Sequence, residues 1–276
     1  MAYLELKNVC KSYGSGSNRT EVLKDINLSI EEGEFVSIVG FTGSGKTTLV
    51  NLIIGLEKPT SGEILFKGKP IDGTSHERGI IFQNYSLLPW LNVEQNVLMG
   101  VKETFPKESA QVQKSMVADY LNLVGLTMAA NKFPRELSGG MKQRVAIART
   151  LAMSPEMIVM DEPMGALDAL TRGKLQDEIL KIWENNKQTV LLITNDVDEG
   201  IYMSDRIIPL TPGPNATLGP EYKIYLDRPR DKTELNDDWN YQETRNTVMQ
   251  YLIAIGKGRK KSLGKVYSLP DVLPKI

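Results

Sequence analysis

The stretch Gly40-Phe-Thr-Gly-Ser-Gly-Lys46-Thr47 follows a short apolar run, Glu34–Val39, and opens a helical pattern from Thr47 to Ile54. Glycines at 40, 43 and 45 let consecutive backbone N–H groups turn inward around an anion, and the helix N-terminus adds its positive dipole end. Lys46 can reach the outer phosphates of a nucleoside triphosphate, and the Thr47 hydroxyl can ligate Mg²⁺. Thr42, Ser44 and Thr48 join them as candidate nucleotide contacts. The pattern G-x-x-x-x-G-K-[ST] is complete, and Gly55 stands where the helix should stop. Strand, glycine loop, helix: this is the opening of an α/β nucleotide fold.

Working outward, Met157-Ile-Val-Met-Asp161-Glu162 places two carboxylates at the end of an apolar strand. The ends of neighbouring parallel strands share one crevice, so Asp161 is expected beside the phosphate loop, holding magnesium through its water shell. Glu162 would face the attacking water and take its proton. Thr189–Ile193 reads as another strand covered on both faces. Helical stretches are expected near Lys142–Met153 and Leu170–Asn185, and over Lys107–Val124, where Val112, Met116, Val117, Tyr120 and Leu121 recur at three and four residues. Leu4–Val9 and Val22–Ile30 read as strands around a Gly/Ser-rich loop at Gly14–Asn18.

A second glycine-bearing helix start lies at Leu137-Ser138-Gly139-Gly140-Met141-Lys142-Gln143-Arg144. Ser138 caps it, and the glycines leave N–H groups open to an anion. One ATP hardly needs both starts from the same subunit.

LSGGMKQR resembles the signature of ATP-binding cassette (ABC) ATPases, and the other family elements fall in order around it over roughly residues 3–210. Tyr13 resembles the aromatic that stacks on adenine. Gln83, in IIFQNYSLLPW, resembles the Q-loop glutamine, which also approaches the metal. Asp168, in GALDALTR, resembles the D-loop aspartate. The resemblance implies an α/β P-loop NTPase cassette with a RecA-like core, an antiparallel β subdomain and a helical subdomain at about 84–155. These lie within residues 1–210, and a C-terminal extension occupies 211–276. It also implies ATP and Mg²⁺ as cofactors and a head-to-tail pair of cassettes. Each ATP then lies between the phosphate loop of one subunit and Ser138, Gly139 and Gly140 of the other, which accounts for two anion sites.

One position departs from the family pattern. After Thr189–Ile193 the family usually places a histidine toward the γ-phosphate, whereas this chain has Asn195, shorter and never cationic. The lone histidine, His76, sits in a polar turn and reads as a surface residue. The stretch from Ile193 to Pro214 is similar to the nitrate/bicarbonate/cyanate branch of the nitrate, sulfonate and taurine importers, and so is Asp227-Arg-Pro-Arg230 followed by Tyr241 and the helix near Arg245–Leu252, within a helix pattern around Tyr241–Ile255. That resemblance implies nitrate uptake, with bicarbonate or cyanate/sulfonate uptake as alternatives and a soluble cassette ATPase for cofactor assembly as a remote one. It further implies a second cassette subunit (a heterodimer, or else a homodimer), transmembrane permease subunits and, indirectly, a solute-binding protein.

Composition agrees. Of 276 residues, 33 are Lys or Arg and 34 Asp or Glu, a formal net charge of -1, which gives no basic excess for a nucleic-acid partner. No apolar run approaches a membrane span, and Glu5 interrupts any leader-like stretch. The chain is therefore expected at the cytoplasmic face of the plasma membrane, held there by the permease. The single cysteine, Cys10, reads as a small buried strand residue. Tyr85–Val97, with Leu87, Leu88, Pro89 and Trp90, is the candidate permease contact, and the basic run Lys257–Lys261 is a weaker candidate for lipid headgroups.

Overall fold

The computed structural model describes residues 2–262; the side chains of Ser17 and of residues 258–262 lie outside the description. In chain order the elements are β1 (Leu4–Tyr13), β2 (Thr20–Ile30), β3 (Phe35–Gly40), α1 (Lys46–Ile53), β4 (Ser61–Phe66), β5 (Lys69–Pro70) and β6 (Arg78–Ile81). Then come α2 (Val93–Thr104), α3 (Ala110–Leu123), α4 (Gly139–Ala152), β7 (Met157–Asp161), α5 (Ala169–Asn186), β8 (Thr189–Thr194) and α6 (Val197–Met203). The chain continues through β9 (Arg206–Leu210), β10 (Tyr222–Lys223), α7 (Lys232–Leu235) and α8 (Trp239–Ser262).

Among the described residues these strands form two sheets, an antiparallel one ordered β2-β1-β4-β5 and a larger one ordered β10-β9-β3-β8-β7-β6. Every residue of β3, β7, β8 and β9 is buried, as continuous apolar strands covered on both faces must be. One corner of the core joins Phe35 edge-on to the Trp183 ring, with centroids 5.5 Å apart. The helices α2, α3 and α4 pack together beyond the β6 end of the sheet. Their starts follow side-chain caps: Asn92 and Gln95 form a reciprocal capping box on α2, and Ser109 caps α3 by accepting from the Val112 N–H. That cap explains why α3 begins at Ala110 rather than at Lys107.

Three expectations need correction. The phosphate-loop strand β3 and the carboxylate strand β7 are not neighbours, because β8 lies between them. Cys10 is half-buried, and its sulfur accepts from the Asp25 N–H at 3.3 Å. The helix expected around Tyr241–Ile255 runs for 24 residues. Residues after β9 also pack onto the core: β10 pairs antiparallel with β9, and Ala216 bridges to Leu23. Arg230 is buried there, its Nη1 donating to the carbonyls of Ile201, Tyr202 and Ser204.

Candidate nucleotide site

The site begins with the loop between β3 and α1. Gly43 and Gly45 hold φ of 78° and 96°, conformations that a side chain disfavours, so the backbone can curl into a cradle. Lys46 is buried, its Nζ donating to the carbonyls of Gly40 (2.8 Å) and Phe41 (3.0 Å) and lying 3.1 Å from Glu162 Oε1. Thr47, in the first turn of α1, donates from its hydroxyl to Asp161 Oδ2 at 3.3 Å. Reach from α1, not strand adjacency, therefore brings Asp161 to the loop. Burial pushes the Asp161 carboxyl above its ordinary range, and Glu162 adds to the rise.

Glu162 follows at a φ of 45°, an unfavourable value for a residue with a side chain, held by its N–H donating to Ile193 O at 2.7 Å. Such strain at a strand end is a common mark of a functional residue. Glu162 lines a cavity of about 280 Å³ together with Gln83, Gly165, Arg172, Thr194 and Asn195. Asn195 is exposed at its rim, just before α6, whose first N–H groups are capped by Asp196. The structure thus gathers Lys46, Thr47, Asp161, Glu162, Gln83 and Asn195 around one crevice.

The remaining candidates lie around it. Tyr13 ends β1 with its hydroxyl donating to Glu57 Oε2 at 2.7 Å, and Lys11 Nζ lies 5.0 Å from its ring centroid. Tyr13 as a whole is 39% exposed. Ser138 caps α4 by accepting from the Met141 N–H at 3.3 Å. Gly140 sits so close to Thr171 that a Cβ there would come within 2.5 Å of the threonine methyl. Asp168 caps α5 by accepting from the Thr171 N–H at 3.0 Å, and the Thr171 side chain together with that N–H holds its carboxyl below the usual range. Ser138, Gly139, Gly140 and Asp168 form a patch of their own, for which no contact to Lys46 is seen among the described residues.

Two residues that position the site escaped the sequence reading. Arg149 of α4 donates to the carbonyls of Ser86 (2.7 Å) and Tyr85 (3.2 Å), tying the loop after Gln83 to the helix that Ser138 starts. Asn96, fully buried, donates to the carbonyls of Leu88, Leu91 and Asn92 and accepts from the Leu88 N–H. As a result Leu87 and Leu88 are half-buried rather than exposed, while Trp90 remains 69% exposed. Beside this segment a groove of about 720 Å³ separates the sheet from α2 and α4, lined by Leu56, His76, Arg78, Met99 and Arg149 among others.

The residues present fit a magnesium nucleotide. Ser44 Oγ is buried with no hydrogen-bond partner among the described residues, and it belongs to the cradle itself. Those residues hold no cluster of three His, Cys, Asp or Glu suited to a metal, so Thr47 and Asp161 make a partial ligand set of the kind that phosphate oxygens and water complete.

Fold and site together define a P-loop ATPase of the ATP-binding cassette class. The ABC transporter family matches residues 23–165, and the chain belongs to that family. It is 44% identical over 250 residues to the nitrate import ATP-binding protein NrtD of Synechococcus elongatus, covering 91% of each chain. To the bicarbonate transport ATP-binding protein CmpD of Synechocystis sp. it is 41% identical, covering 91% of this chain and 89% of that one. Among solved structures, the dimeric post-hydrolysis state of the cassette MJ0796 bound to ADP and Pi superposes with a TM-score of 0.72 at 35% identity, covering 81% of this chain and all of that one. The chain is accordingly an ABC ATPase, and among the described residues no helix is long and apolar enough to cross a membrane.

Proposed function

We propose that this chain hydrolyses ATP to drive a binding-protein-dependent importer of nitrate. The observation that carries the hydrolytic reading is that the consecutive residues Lys46 and Thr47 reach the consecutive carboxylates Glu162 and Asp161, the first by an ion pair and the second by a hydrogen bond. Support for nitrate comes from likeness to the nitrate import protein along nearly the whole of both chains. Bicarbonate is the second reading, favoured by a relative almost as similar over the same span.

In this reading Tyr13 stacks on adenine, and the loop from Gly40 through Thr48 wraps the phosphates with its N–H groups and Lys46. Thr47 and Asp161, with Gln83 nearby, hold Mg²⁺, which neutralises phosphate charge when bound. Glu162 orients the attacking water and takes up its proton, while Asn195 donates a hydrogen bond toward the γ-phosphate. Ser138, Gly139, Gly140 and Asp168 serve the nucleotide of a second cassette, and that cassette's signature serves this one. Positioning and charge stabilisation do most of the work, as expected for phosphoryl transfer to water.

The cassette comprises residues 1–210 and the extension 211–276. The groove beside Leu56, Arg78 and Met99 suits a helix of a transmembrane permease, which would hold the chain at the cytoplasmic face of the membrane. The second cassette is a different subunit, and a solute-binding protein delivers the anion outside. Purifying the complex through this chain tests the partners, with uptake of labelled nitrate and bicarbonate into vesicles testing the cargo. Recovery without any multi-span protein would reject the importer reading, and uptake of bicarbonate alone would move the cargo to the second reading.

A further inference from the structure

Among the described residues, helix α8 contributes none to the crevice, yet it spans the distance between the two edges of it. Near its start, the Tyr241 hydroxyl and Arg245 Nε both donate to Asp198 Oδ1, at 2.9 and 2.6 Å. Asp198 lies in the first turn of α6, three residues beyond Asn195, and Asp196 between them caps that turn. A shift of α6 is therefore a shift of Asn195.

Near its far end, α8 meets the phosphate loop. A Cβ built on Gly256 would lie 3.2 Å from Cζ of Phe41, the residue after Gly40, so the Phe41 ring rests directly on the helix backbone. Glycine inside a helix is destabilising relative to alanine, and close approach of another group is a reason to keep one. The turn leaving β9 makes a second contact, with Gly213 placed so that its Cβ would lie 3.2 Å from the Gly43 carbonyl.

A purely structural helix would need only the apolar face that buries Val248 and Leu252. The other contacts add little to stability. Arg245 and Asp198 are each nearly half exposed, and water and salt screen such pairs to a small contribution. What these contacts specify is an angle and a separation.

We propose that α8 is a brace that sets the spacing between the phosphate loop and the Asn195 corner, making Phe41, Asp198, Tyr241, Arg245 and Gly256 positioning residues for ATP hydrolysis. The proposal rests on the reading that ATP is bound and hydrolysed at the Gly40–Thr48 loop. Its loop contact acts on nucleotide binding, and its α6 contact acts on turnover.

The test measures kcat and KM for ATP, with thermal midpoints, in the assembled complex. Gly256→Leu, which crowds Phe41, should raise KM about fivefold, and Tyr241→Phe with Arg245→Met should lower kcat by a similar factor, the lower end of ordinary coupling between sites. Phe41→Ala placed on Gly256→Leu should relieve the KM defect. Leu235→Ala, a buried packing change in α7, should lower the midpoint and leave both constants alone. Brace variants that behave like Leu235→Ala, or a Gly256→Leu defect that Phe41→Ala fails to relieve, would overturn the proposal. If Gly256→Leu or the double variant does not fold, Gly256→Ala and Arg245→Lys carry the same test, and unchanged constants in both reject it. Lys46→Ala separates the two readings: full hydrolysis in that variant would remove the ATP site, not the brace alone.

Discussion

Lys46 Nζ and Glu162 Oε1 lie 3.1 Å apart, the first nearly buried and the second at a positive φ. On the proposed reading, a phosphate entering the loop would compete with Glu162 for this ammonium and free the carboxylate to face water. Glu162→Gln should keep or tighten ATP binding, because the neutral amide releases Lys46 to the phosphate. Hydrolysis should fall by about 10²–10⁴, the usual worth of a general base. Parallel titration of nucleotide affinity and single-turnover rate checks this; a variant that hydrolyses at the original rate assigns the base elsewhere.

Asp161 gives a prediction in pH. Burial raises its carboxyl above the usual range, so ionisation costs native stability at neutral pH, and this cost vanishes once the unfolded chain's carboxyl is protonated too. Asp161→Asn should raise the thermal midpoint near pH 7, with the gain shrinking as pH falls through the ordinary carboxylate range. Magnesium-dependent hydrolysis should be lost in the same variant. Calorimetry across pH measures the first effect, and a midpoint that drops at every pH would contradict the burial argument.

Asn195 stands exposed at the rim of the cavity that Glu162 and Gln83 line. If Asn195 donates toward the γ-phosphate as proposed, Asn195→Ala should slow steady-state hydrolysis in the assembled complex. Asn195→His restores reach and a titratable ring, and it should raise the rate while adding a pH dependence near the imidazole range. An alanine variant with unchanged turnover would leave this residue without a part in the reaction.

How much of this was legible beforehand follows the range of the interactions. The phosphate loop and the strand ending at Asp161 could be read because strand, glycine turn and helix are local patterns of a few residues. Ser138 as a helix cap is equally local. The β8 strand inserted between β3 and β7 was not readable, since strand order depends on crossovers that periodicity does not encode. The same holds for β10, two residues long and too short to show a period of its own, which pairs antiparallel with β9. Asp198, Tyr241 and Arg245 are polar surface residues in sequence, and only the packing of α8 on α6 makes them a cluster. Arg149 was invisible for the same reason: its targets are carbonyls, which have no sequence signature.

Arg230 tests how firmly the extension is bound to the core. Its guanidinium satisfies three carbonyls at the end of α6, and burial pushes its pKa down to about 10. Arg230→Ala would orphan those carbonyls, at a cost of roughly 1–3 kcal/mol for each group left without water or another partner. Chemical denaturation should show the loss, together with easier proteolysis after Leu210. Unchanged stability would mean that water replaces the side chain without penalty.

The last prediction concerns the patch formed by Ser138, Gly139, Gly140 and Asp168. It makes no observed contact to Lys46 of its own chain, and the neighbouring Leu170 is 81% exposed, an apolar group beside two helix starts. On the proposed reading, another cassette's nucleotide comes to this patch. The isolated chain should then bind ATP at any concentration but hydrolyse it at a rate per chain that falls on dilution. Ser138→Arg should abolish hydrolysis and leave binding to the isolated chain intact, because the added cation blocks the neighbour's phosphate and not its own. Turnover per chain that stays constant through a wide dilution series, or binding lost together with hydrolysis in Ser138→Arg, would place the signature within its own subunit's site.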